Sequence, residues 1–80
     1  MPNTYTQIYI QIVFAVKAFG NQLQKLRLSK GMSQEDLADE SGLAYTTINK
    51  LENGHLNTGI ATLFDLAKGL KVHPRELFDF

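Results

Sequence analysis

Hydrophobic and polar positions change their period once along this 80-residue chain. From Thr4 to Val16 they alternate: Ile8, Ile10, Ile12, Phe14 and Val16 fall on one side of an extended chain, and Tyr5, Gln7, Tyr9 and Gln11 on the other. β-Branched and aromatic residues dominate the stretch and no Gly or Pro interrupts it, so the pattern predicts a strand. Past Gly20 the period becomes helical, with Phe19, Leu23, Leu26 and Lys30 on one side of a first helix that Gly31 stops. Ser33 followed by Asp36 is a capping-box start for a second helix, and Gly42 marks a tight turn. A third helix over Ala44 to Asn53 ends at Gly54, Thr58 caps a fourth that Gly69 terminates, and Pro74 opens a short last one. The expectation is a mainly α chain: a strand arm over residues 1–17, then a five-helix domain over residues 18–80.

A lone amphipathic strand is unstable in water, because its backbone groups lack partners and its apolar face stays wet. Nothing after Gly20 reads as a second strand. The pattern therefore predicts that two protomers pair their arms, with Ile8, Ile10, Ile12 and Phe14 as the dimerisation face. The size of the chain agrees, since at this length one core contributes only a few kcal/mol and association often helps.

Composition narrows the chemistry. Eight Lys plus Arg balance eight Asp plus Glu, so no broad basic field attracts nucleic acid, and any DNA contact has to come from local placement. With no cysteine and two separated histidines, disulfides and thiolate metal sites are excluded and no metal or cofactor is expected. The cytoplasm is the expected compartment. The apolar run from Ile8 to Phe19 is broken by Gln11 and Lys17, is shorter than the roughly 20 residues of a membrane span, and lacks the basic start of a signal peptide. No membrane association is expected.

The informative spacing is a short helix from Gln34, a turn at Ser41-Gly42-Leu43, and a second helix from Ala44. Two helices joined by a three- to four-residue turn holding Gly form a helix-turn-helix, whose second helix can enter a major groove. Ala38 suits a close crossing of the two, and Leu37, Leu43, Ile48 and Leu51 are placed to fill the space between them. The segment "MSQEDLADESGLAYTTINKLENG" resembles the helix-turn-helix of the Cro/cI-type (Xre) repressors, and "HPRELF" follows in that family's order and spacing.

That resemblance implies a sequence-specific regulator that binds double-stranded DNA without catalysis. Residue by residue, it puts Ser33 and Gln34 at the start of the second helix, near a phosphate. Tyr45, Thr46 and Lys50 take the positions that face base edges: Lys50 toward guanine O6 or N7, Thr46 toward a thymine methyl. Thr47 and Asn53 become phosphate or sugar contacts, and the loop of His55, Leu56 and Asn57 passes near the backbone. Arg27 and Glu52 are implied to form a mostly buried ion pair tying the first helix to the end of the recognition helix.

The chain also departs from a strong binder. Glu35, Asp36, Asp39 and Glu40 load the second helix with acid, which predicts weak monomer binding with a shallow salt dependence. A homodimer on a pseudo-palindromic operator, with recognition helices about 34 Å apart, is the usual remedy. Separately, "NTYTQIYIQIVFAVK" resembles the opening strand of the small tyrosine transposases of insertion sequences. The His-x-His pair those enzymes need is missing, so Tyr5 and Tyr9 read as strand residues rather than nucleophiles. The alternative to DNA regulation is a protein-interaction module, such as an antitoxin binding a partner toxin, which the acidic second helix favours.

Overall fold

Where the alternating pattern predicts a strand, the computed structural model has the first half of a long helix. It describes residues 3–55 and 58–80. Its elements are α1 (Thr4–Ser29), α2 (Gln34–Ser41), α3 (Tyr45–Glu52), α4 (Ile60–Leu70) and a closing 3-10 helix, Pro74–Phe78. The class is mainly α, but two parts of the expectation are overturned. Among the described residues there is no strand, and four α-helices with a 3-10 turn replace the five helices. Pairing of protomers through strands falls with the strand, as does the transposase-like opening strand.

The physical reason lies in backbone pairing. A single strand leaves its N–H and C=O groups without partners, whereas a helix satisfies them within itself. Packing of Phe19, Leu23 and Arg27 in the body already fixes the second half of α1, so the costly nucleus exists and each residue added toward Thr4 gains a hydrogen bond. Against that gain, each β-branched residue costs at most about 0.7 kcal/mol of helix propensity. Asn3 closes the start: its side-chain oxygen accepts from the Thr6 N–H at 2.8 Å and from the Thr6 hydroxyl at 3.0 Å. Winding also divides the face predicted for dimerisation. Residues two apart on a helix are about 200° apart, so Ile8 and Ile12 share one side while Ile10 and Phe14 take the other. All four are exposed.

Gly20 is therefore no boundary. It lies buried inside α1, where a Cβ would collide with the Leu51 carbonyl oxygen and stand 2.9 Å from that of Glu52. A bare backbone there lets α1 cross the end of α3 closely. Gly69 does the same inside α4, where a Cβ would be 2.9 Å from Ser41 Cβ; the helix runs on to Leu70 and ends at Lys71 in a left-handed conformation. Nor does Thr58 cap α4, which starts from Gly59 with no side-chain cap.

Among the described residues, Leu23, Leu37, Ile48, Leu51, Leu66, Leu70 and Leu77 are the largest fully buried side chains, one or more from every element. At roughly 1.5–3 kcal/mol each, their burial is what holds α2 and α3 at a set angle on α1 and α4. Gly42, with φ 74°, ends α2 and donates to the Ala38 carbonyl at 3.0 Å, which turns the chain straight into α3. The molecule measures 45 × 22 × 20 Å, elongated because α1 extends beyond the body.

Candidate nucleic-acid interface

α3 is the element the helix-turn-helix spacing offers to DNA, and its two sides differ sharply. Ile48, Leu51 and Glu52 are buried; Tyr45, Thr46, Lys50 and the following Asn53 are exposed, and Thr47 and Asn49 are half-buried. Exposure thus groups Tyr45, Thr46 and Lys50 on one accessible face. Ala44 precedes α3 without a side-chain cap; its carbonyl accepts from the Thr47 N–H at 3.0 Å, so the Tyr45 and Thr46 N–H groups of the first turn have no cap partner.

Beneath that face lies a polar junction. Arg27 Nε donates to Glu52 Oε2 at 2.7 Å and Arg27 Nη2 to Glu52 Oε1 at 2.9 Å, a two-pronged pair in which both side chains are under a tenth exposed. Arg27 Nη1 also donates to the Met32 carbonyl at 2.7 Å, so the guanidinium is fully engaged in holding α1, the loop before α2 and the end of α3 together. The hydrogen bond to Glu52 holds the Arg27 guanidinium above its ordinary pKa, against the opposing effect of burial.

Gln34 belongs to the same junction. Its amide donates to Glu52 Oε1 at 3.2 Å, and its carbonyl oxygen accepts from Asn49 Nδ2 at 3.2 Å. Asn53 Nδ2 in turn donates to the Asn49 backbone carbonyl at 2.9 Å and to Asn49 Oδ1 at 3.2 Å. Asn49, which sequence reasoning missed, is therefore the link between the recognition helix and the start of α2. Its spacing could have revealed it: Asn49 sits one turn before Asn53, beside the buried Ile48, where a polar side chain needs a partner. Among the described residues no buried side-chain nitrogen or oxygen lacks one.

Ser33 and Asp36 form a reciprocal cap. The Asp36 N–H donates to Ser33 Oγ at 3.0 Å and the Ser33 N–H to Asp36 Oδ2 at 2.9 Å, which lowers the Asp36 carboxyl below its usual range. Glu35, Asp36, Asp39 and Glu40 are all exposed. His55 is exposed too, its N–H donating to the Lys50 carbonyl at 2.9 Å; Leu56 and Asn57 lie outside the described residues.

A two-helix unit with an accessible second helix, locked to the body by a buried ion pair, defines a helix-turn-helix DNA-binding protein of the transcription-regulating class. The helix-turn-helix family model HTH_3 matches residues 23–77, and the chain belongs to that family. It is 41% identical over 63 residues to the control protein C.BamHI of Bacillus amyloliquefaciens, covering 78% of each chain. It is 36% identical over 61 residues to the HTH-type transcriptional regulator y4dJ of Sinorhizobium fredii, covering 76% of this chain and 79% of that one. Among solved structures, the restriction-modification controller protein C.AhdI of Aeromonas hydrophila superposes with a TM-score of 0.77 at 41% identity, covering 79% of this chain and 96% of the other. These relatives are regulators and controller proteins, and no catalytic family is indicated.

Proposed function

We propose that this chain is a sequence-specific regulator of the restriction-modification controller type, acting as a homodimer on a pseudo-palindromic operator in double-stranded DNA. The observation that carries the reading is the exposed face of Tyr45, Thr46 and Lys50 on a helix whose opposite side is pinned by Arg27 and Glu52. The pinning supplies rigidity, without which side chains cannot discriminate base edges. Lys50 donates to guanine O6 or N7, the Thr46 methyl packs on a thymine methyl, and Tyr45 contacts base or backbone from the first turn. Thr47 and Asn53 hold phosphate or sugar. Ser33 and Gln34 act differently: their side chains are engaged within the protein, so it is the free N–H groups of the first turn of α2 that meet phosphate. Similarity to the two controller proteins supports the controller role.

The test is selection of binding sites from a random duplex pool, followed by Tyr45→Ala, Thr46→Ala and Lys50→Ala at fixed salt. Loss of discrimination at single base pairs, each on the order of 1–3 kcal/mol, is expected with the fold intact. Unchanged selectivity in all three removes α3 as the reading element. A second reading, a module that binds a basic partner protein such as a toxin, is favoured by the four exposed carboxylates of α2. It requires that no duplex be selected from the pool at any salt.

A further inference from the structure

Asn49 stands among the exposed residues of α3, although its own side chain is half-buried. At 3.6 residues per turn it projects about 40° from Tyr45 and about 60° from Thr46, on the arc between them, and Asn53 follows it one turn later. Tyr45, Thr46 and Asn53 are all exposed.

The direction of the Asn49 amide is dictated from the buried junction. Glu52, paired with Arg27, is a carboxylate and can only accept, so Gln34 turns its NH2 group toward Glu52 Oε1, at 3.2 Å. That leaves the Gln34 carbonyl oxygen facing Asn49, which answers with its own NH2 group, again at 3.2 Å. The Asn49 carbonyl oxygen is then turned to Asn53, whose Nδ2 donates to it at 3.2 Å. Reversing any amide in this row would set oxygen against oxygen. A primary amide has two N–H donors and two lone pairs on its oxygen. Among the described residues, Gln34 takes one donor of Asn49 and Asn53 one lone pair, which leaves one of each.

Resting on the DNA-reading role of α3 given above, we propose that Asn49 is a further specificity-determining residue: its remaining N–H donates to N7 of an adenine and its remaining lone pair accepts from the N6 amino group of the same base. Adenine is the base whose major-groove edge matches one donor and one acceptor on a single amide. Guanine offers two acceptors, N7 and O6, and would set O6 against the amide oxygen. Cytosine offers a donor alone, and thymine an acceptor beside a methyl group. The row of amides is a brace, fixing which way Asn49 points before DNA arrives. A freely turning amide could instead present its NH2 group to guanine, and the two purines would no longer be told apart.

The test uses the full chain and a duplex selected from the random pool. Each adenine in turn is replaced by 7-deazaadenine, which keeps N6 and its base pairing but has a C–H in place of N7, and affinity is read by fluorescence anisotropy at fixed salt. At one adenine of the selected site the wild type is expected to lose about 10-fold; Asn49→Ala, already weaker by about that factor, loses nothing further from the same replacement. Circular dichroism and the urea midpoint check that Asn49→Ala folds, and the wild-type measurement needs no variant. Wild-type binding that ignores 7-deazaadenine at every position overturns the proposal. So does an equal loss in Asn49→Ala, which gives the N7 contact to another side chain. If Asn49→Ala weakens binding to every sequence alike and abolishes no base preference, Asn49 only braces Gln34 and the proposal falls. In each of these cases the selectivity of Tyr45, Thr46 and Lys50 is a separate measurement on which the reading of α3 still stands, whereas a pool that yields no duplex sinks both.

Discussion

Glu52 shows how much one side chain carries here. Its carboxylate accepts two bonds from Arg27 and one from Gln34, and the site is almost dry. Glu52→Ala leaves the Arg27 guanidinium buried with the Met32 carbonyl as its remaining partner. A loss of about 3–5 kcal/mol is expected, read from the midpoint of urea unfolding. In an 80-residue domain that is a large share of the total stability. Gly20 is the opposite case, a residue whose value is having no side chain. Alanine normally improves a helix by about 1 kcal/mol over glycine. Gly20→Ala should instead destabilise by about 1–3 kcal/mol, because the new Cβ meets the carbonyls of Leu51 and Glu52, which as backbone cannot swing aside. A thermal melt that rises on this substitution would contradict the close crossing of α1 and α3.

At the scale of the element, α2 is held at its start by the reciprocal bonds of Ser33 and Asp36. Those bonds favour the ionised carboxylate, so the folded pKa of Asp36 lies below its unfolded value. The resulting stability is present above the ordinary aspartate pKa of about 3.9 and is lost as pH falls through the lower, folded value. Denaturant midpoints of the wild type and Asp36→Asn, compared between about pH 6 and pH 2, should therefore differ most at the upper end and converge as acid is added. A difference that grows toward low pH has the wrong sign and refutes this account of the cap. The α2 start, its glycine turn and the apolar spacing of α3 were legible in the residues, because caps and turns are local. α1 was not. Alternation from Thr4 to Val16 describes which residues would share a strand face, but whether a strand forms depends on a neighbour to pair with.

For the molecule as a whole, net charge is zero, and four carboxylates stand on the helix beside the DNA face. Few phosphates are then neutralised on binding. A plot of log affinity against log salt is expected to have a slope of about −4 or shallower, measured by fluorescence anisotropy on a selected duplex; a slope near −10 would mean a basic surface that this chain lacks. Residue order alone was enough to specify the helix-turn-helix, since helical period and turn residues act over a few positions; the expected face of Tyr45, Thr46 and Lys50 followed from the resemblance to the Cro/cI-type repressors. It also contained the identities of Arg27 and Glu52, although only the fold set their atoms 2.7 Å apart in a dry junction. Three things needed the tertiary structure: the helical winding of residues 4–16, the role of Gly20 as a crossing point, and the engagement of Gln34 by Asn49 and Glu52. Each depends on what another part of the chain places nearby. The body nucleates α1, the end of α3 leaves no room for a Cβ at position 20, and the carboxylate that holds Gln34 stands eighteen residues away.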